Sequence, residues 1–189
     1  MNTASPQTRI DEIAPDIFRI STAIPPGAIA NGFTFNQYLI RDDQPLLFHS
    51  GPRLLFDAVR GAVERVLPAS SLRYISFSHF EADECGALNH WLEVAPQAEP
   101  ACGQIAAMVS IGDYAIRAPR ALANGETLNL GRRIELLPMD KHCDNISLGL
   151  YREKTSAGPC YLIHTYSASA GAQDRVAFLT RALRVMAGM

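Results

Sequence analysis

Residues 76–89 read Ser-Phe-Ser-His-Phe-Glu-Ala-Asp-Glu-Cys-Gly-Ala-Leu-Asn, placing His79, Glu81, Asp83 and Glu84 in one short turn with Cys85 directly after it. Upstream, residues 72–77 form an apolar run that reads as a short buried strand. Downstream, Leu88, Trp91, Leu92 and Ala95 recur at helical spacing. The polar cluster therefore falls at a strand-to-helix corner, where α/β proteins commonly hold their chemistry. In an extended backbone alternate side chains share a side, so His79, Glu81 and Asp83 would converge on one point. An imidazole and two carboxylates held together need a common partner, and a divalent cation is the simplest. A solvated acidic loop is the plainer reading of the same residues, and the flanking strand and amphipathic helix argue against it.

Working outward, residues 31–40 read Asn-Gly-Phe-Thr-Phe-Asn-Gln-Tyr-Leu-Ile, and residues 45–48 read Pro-Leu-Leu-Phe. Together with Ser-His-Phe-Glu-Ala-Asp-Glu-Cys-Gly at 78–86, these stretches resemble the metallo-β-lactamase superfamily. Within it they resemble the flavodiiron and oxygen-binding diiron branch, in which His-x-Glu-x-Asp stands where the zinc hydrolases have His-x-His-x-Asp-His. The likeness is specific in the first half of the chain and weaker down to about Tyr166. It implies an α/β fold of the metallo-β-lactamase αββα type, with two mixed sheets packed face to face and helices outside.

Length and composition agree with a single domain spanning 1–189, since 48% hydrophobic residues in 189 is enough for one substantial core. A net charge of -2 with Lys and Arg scattered along the chain leaves no footprint for nucleic acid or for an anionic membrane surface. No apolar run approaches a spanning helix, and residues 1–6 have neither a basic start nor an apolar middle, so the expectation is a soluble cytoplasmic protein. Cys85, Cys102, Cys143 and Cys160 show no CxxC spacing, which points to reduced thiols. Cys85 and Cys143 adjoin the two polar clusters, but free cysteine is more often a packing residue than a ligand.

In chain order, residues 10–13 and 17–21 suggest two strands joined at Pro15-Asp16, forming a sheet edge. Residues 24–27, Ile-Pro-Pro-Gly, form a rigid loop. Residues 33–40 and 45–48 read as a hairpin across Asp42-Asp43. Residues 53–66 carry Leu55, Val59, Ala62, Val63 and Val66 on one stripe and predict an amphipathic helix closed by Pro68. His90 falls on the polar side of the 88–95 helix and is expected to face solvent. Residues 103–117 are mixed, with helical turns suggested by Ile105, Met108 and Val109 and a second short helix near Asp113. A hairpin over 126–130 and 133–137 places the second sheet in the C-terminal half. Residues 138–145 then form a second polar cluster, containing Asp140, His142, Cys143 and Asp144. Strands at 147–151 and 160–165 follow it, and residues 172–187 predict a terminal helix.

The resemblance implies a ligand set. His79, Glu81 and Asp83 match the family's first turn, and His142 best matches its second cluster. The bridging Asp expected after residues 161–163 is replaced by His164-Thr165-Tyr166, and no histidine follows His164. Losing those two ligands leaves a second iron with little more than Asp83, too little to hold it against water. His79, Glu81 and His142 remain, a set that suits mononuclear non-haem iron with open positions and equally suits zinc. His164 or Tyr166 is the candidate for a fourth ligand. His49, where many relatives carry an Asp that supports the turn, is a candidate for the same role beside the plainer reading of a satisfied strand-end histidine. Glu84 stands where the zinc hydrolases have a histidine, which disfavours a dizinc site.

Three functions compete on this reading. The first is a protein with a mononuclear or residual iron site that binds O2, NO or a peroxide. The second is a metal-free fold survivor acting as a binding protein. The third, less favoured, is a metal-dependent hydrolase of ester or thioester bonds, for which Asp83, Glu84 or Asp144 could serve as general acid. Reductase chemistry would need an external electron donor, because no residues remain to build a flavin domain. The resemblance also implies a paired assembly.

Overall fold

The computed structural model describes residues 7–27, 32–78, 80–123 and 126–131, and the backbone of 134–139, 148–153 and 161–164. The expected terminal helix, Cys143, Cys160 and Tyr166 lie outside the described residues.

Strands β1 (Gln7–Ala14) and β2 (Ile17–Ile24) form an antiparallel pair turned at Pro15-Asp16, where Asp16 takes φ 63° and accepts a hydrogen bond from Arg41 Nε at 2.8 Å. Both run longer than the alternation alone suggests, and β1 is the sheet edge, as expected. β3 (Phe33–Ile40) and β4 (Leu46–Phe48) continue the sheet antiparallel. β5 (Tyr74–Ser76), shorter than the apolar run 72–77, then pairs parallel with β4. Two strands not expected from the sequence complete this sheet in parallel, β6 (Glu99–Gly103) and β7 (Arg120–Leu122).

Period-two alternation lets this seven-stranded sheet bury both faces. Phe18, Ile20, Leu39, Leu47 and Ile75 point to the helical side, packing on Val59, Ala62, Val63, Leu88, Trp91 and Leu92. Their neighbours Ile17, Ile40, Leu46, Phe48 and Tyr74 point the other way, toward Leu122, Leu128 and Leu130. Each such side chain, fully withdrawn from water, is worth about 1.5–3 kcal/mol.

The helical layer contains α1 (Phe56–Val63), entered through a 3-10 turn at Arg53–Leu55, then α2 (Ala82–Cys85) and α3 (Leu88–Val94). The mixed stretch after β6 is helical over 104–114, from Gln104–Ala106 through a wide π-type segment Ala107–Ile111 to Gly112–Tyr114. It packs through Ala107 and Ile111, while Ile105, Met108 and Val109 face outward.

The second sheet is antiparallel in the order β11-β10-β9-β8, from β8 (Leu128–Asn129), β9 (Ile134–Met139), β10 (Leu148–Glu153) and β11 (Tyr161–His164). All four overlap the expected strands, but β9 runs on through Pro138 and Met139, expected in the second polar cluster, and β10 extends to Glu153 rather than ending at 151. At the junction between the sheets Gly131 takes φ 141°, and a Cβ there would lie 2.6 Å from Asp42 Oδ1. The 42–43 turn thus sits directly on its backbone, and Gln44 N–H donates to Leu130 O at 2.7 Å. This is the expected metallo-β-lactamase-type α/β fold, except that only the first sheet is mixed: among the described residues every pairing of the second is antiparallel. Among the described residues no helix is long and apolar enough to cross a membrane.

Candidate metal centre

Parallel pairing brings the C-terminal ends of β4 and β5 level, with Phe48 opposite Ser76 and Ser76 opposite Ala101. The segments 49–51 and 77–85 leave those ends side by side. Glu81 is the last extended residue of the turn, at φ -125° and ψ 150°, and α2 starts at Ala82. The amides of Glu84 and Cys85 donate to the Glu81 carbonyl at 3.0 and 2.8 Å. The expected extended run through Asp83 is therefore corrected: Asp83 lies in the first turn of a helix, so its relation to Glu81 is set by helical geometry and not by strand alternation. Glu81 and Asp83 are both exposed.

Glu84 does the opposite and turns inward. It is 6% exposed, and His49 is 4% exposed. Ser78 Oγ donates to Glu84 Oε2 at 2.9 Å and lies 2.9 Å from His49 Nε2, with His49 Nε2 and Glu84 Oε2 3.7 Å apart. Because the hydroxyl has one proton and directs it to the carboxylate, His49 Nε2 is the donor to Ser78 Oγ. The backbone repeats the link: His49 N–H donates to Ser76 O at 2.7 Å, Ser50 N–H to Glu84 O at 2.6 Å and Ala87 N–H to Gly51 O at 2.9 Å. Trp91 Nε1 donates to the Ser50 carbonyl at 3.0 Å. On the far side of the turn Phe80 meets Tyr114 edge-on, and the Tyr114 hydroxyl donates to Gly86 O at 3.2 Å.

Of the remaining expected ligands, His79 and His142 lie outside the described residues. His164 is described by its backbone alone. It ends β11 opposite Leu148, which in turn is opposite Met139. Met139, Leu148 and His164 therefore lie at the same end of the second sheet. Among the described residues no group of three or more His, Cys, Asp and Glu side chains is arranged to hold a metal.

Of two nearby residues, His90 departs from the sequence reading and Cys85 follows it. His90 is half-buried rather than solvent-facing: its ring lies 5.3 Å from that of Phe56, because the α3 face beside Trp91 is covered by α1. Cys85 is a packing residue, 3% exposed, with its thiol donating to Glu81 O at 3.2 Å. Burial, reinforced by the Glu84 charge, pushes its pKa from 9.0 up to about 12. The thiolate population is then roughly a thousandfold below that of an ordinary cysteine at the same pH, so Cys85 is a poor nucleophile. Alkylation of the native protein at pH 8 should leave the Cys85 peptide unmodified by mass spectrometry until denaturant is added. Folding favours the neutral thiol, so the associated stability is complete below pH 9 and is lost as the pH rises from there toward 12.

Comparison with known proteins places this geometry in context. Residues 33–142 match the family described as ODP family beta lactamase. The chain is 26% identical over 111 residues to a Nostoc sp. PCC 7120 protein named diflavin flavoprotein A 2, covering 57% of this chain and 19% of that one. Among solved structures, the metal-soaked Flv1 flavodiiron core from Synechocystis sp. PCC6803 superposes with TM-score 0.65 at 19% identity, over 90% of this chain and 47% of that one. Rubredoxin oxygen:oxidoreductase from Desulfovibrio gigas gives TM-score 0.64 at 19% identity, over 76% and 38%. This chain thus spans about a fifth of the curated relative and less than half of either solved structure.

Proposed function

The chain belongs to the ODP family of beta-lactamases, and from that premise we propose that it holds one iron ion at the 79–83 turn and uses it to bind a small ligand, O2, NO or a peroxide. The observation that carries this reading is the pair of exposed carboxylates, Glu81 and Asp83, in the segment that leads from the C-terminal end of parallel strand β5 into α2. Carboxylate and neutral imidazole together suit iron, and zinc as the alternative. His79, Glu81 and His142 would hold the cation, with His164 as a fourth ligand by its register and Asp83 at the margin of the site.

When bound, iron would supply open coordination positions and the redox change. The chain's own part is to hold the turn in shape, to keep Glu84 out of the ligand set and to back the site with the dry core around Trp91. An external electron donor would be needed for reductase chemistry. A paired, cytoplasmic protein belongs to the same reading.

The test is elemental analysis of protein purified without chelator or affinity metal, comparing wild type with His79→Ala. About one iron per chain, absent from the variant, is the expected result. Zinc accompanied by ester or thioester turnover would support a hydrolase instead. Equal, near-zero metal in both proteins would overturn the metal reading in favour of a binding protein.

A further inference from the structure

We propose that His49, Ser78 and Glu84 form an internal clasp that fixes the 79–83 turn, with the Glu84 carboxylate committed to the clasp and not to a cation, so that the site has one metal position. The clasp stands on geometry alone, and the metal count rests on the reading proposed above.

The three groups bracket the turn. Ser78 precedes it, Glu84 follows it, and His49 reaches both from the end of β4. His49 takes φ 64°, a conformation that costs a residue with a Cβ and persists only where its surroundings over-determine it. Here its amide is held by Ser76 O, its ring stacks on Phe48 at 4.6 Å and 26°, and its Nε2 is held by Ser78 Oγ. A buried carboxylate at 6% exposure needs such partners, and removing one strands the others. Two of the carboxylates in residues 81–84 thus remain exposed, while the third is tied inward by both side chain and backbone. All three are assigned as positioning residues, acting through the turn that they bracket: His49 and Glu84 are buried and Ser78 is half-buried.

The experiment is a double-mutant cycle of His49→Ala and Glu84→Ala in metal-free protein, read by denaturant unfolding, together with Co(II) titration followed by visible absorption. The expected coupling is about tenfold in the unfolding equilibrium constant. Wild type and Glu84→Gln, which keeps an acceptor for Ser78, should both take up about one Co(II) per chain. His49→Ala and Ser78→Ala should weaken Co(II) binding several-fold, whereas Val59→Ala, a core change in α1 that also lowers stability, should not. Additive effects of His49→Ala and Glu84→Ala in the metal-free protein would overturn the clasp. Loss of the cation from Glu84→Gln would overturn the commitment of Glu84, since it would then be a ligand. Coupling in a wild-type protein that takes up no cation would support the clasp and count only against the metal assignment.

Discussion

Trp91→Ala is expected to lower the unfolding free energy by about 4 kcal/mol, enough to bring a domain at the low end of the ordinary margin of about 5–15 kcal/mol close to its midpoint. Three losses combine. The indole is fully buried, and its removal leaves a large cavity between the sheet and α1. Its edge-on contact with Phe56, at 5.2 Å and 77°, disappears. Its Nε1 also donates to the Ser50 carbonyl at 3.0 Å, so truncation strands a buried acceptor in the segment that carries His49. Trp91→Phe keeps most of the volume but not the donor, and should cost about half as much. Because Trp91 is the only tryptophan, wild-type fluorescence reports this locus, while the variants are followed by far-UV circular dichroism. A loss below about 1 kcal/mol for Trp91→Ala would be incompatible with an indole at the centre of the core.

The particular residues show why some of this structure was legible in the sequence and some was not. Strand β3 matches its expected limits because 33–40 alternates between the two faces and ends before a turn rich in Asp. The stripe from Leu55 to Val66 predicts a helix over 53–66 because one face is buried and the other wet, and the α-helix forms over Phe56–Val63, shorter at both ends, with a 3-10 turn before it. Strands β6 and β7 escaped because Glu-Pro-Ala-Cys-Gly and Arg-Ala-Leu lack β-branched alternation; parallel pairing on β5 makes them strands. At the site, the residue types were legible and the directions were not. His49 and Glu84 are 35 positions apart, and nothing local says that they meet. That follows from β4 and β5 running parallel, which sets their exits side by side. Asp83 was expected on the Glu81 side of an extended run, but the Glu81 carbonyl captures the Glu84 and Cys85 amides and starts a helix one residue too early for it.

Gly86→Ala is expected to destabilise the protein by about 3 kcal/mol and to loosen the 79–83 turn at the same time. Gly86 has ordinary helical dihedrals, φ -60° and ψ -33°, so left-handed conformation is not the reason. The reason is close approach: a Cβ at this position would be driven into the Ala82 carbonyl oxygen, a backbone atom with no rotamer to change. Relief requires α2 to shift against α3, yet both are anchored, since Ser50 binds the Glu84 carbonyl, Gly51 accepts from Ala87, and the Tyr114 hydroxyl binds Gly86 O. Moving α2 withdraws Glu84 from Ser78, so the coupling between positions 49 and 84 should shrink in a Gly86→Ala background. Denaturant unfolding and the double-mutant cycle repeated in that background give both numbers. A stability change within about 0.5 kcal/mol of zero, with the coupling intact, would mean that α2 has room to accommodate a methyl group and that the packing of this corner is looser than its geometry requires.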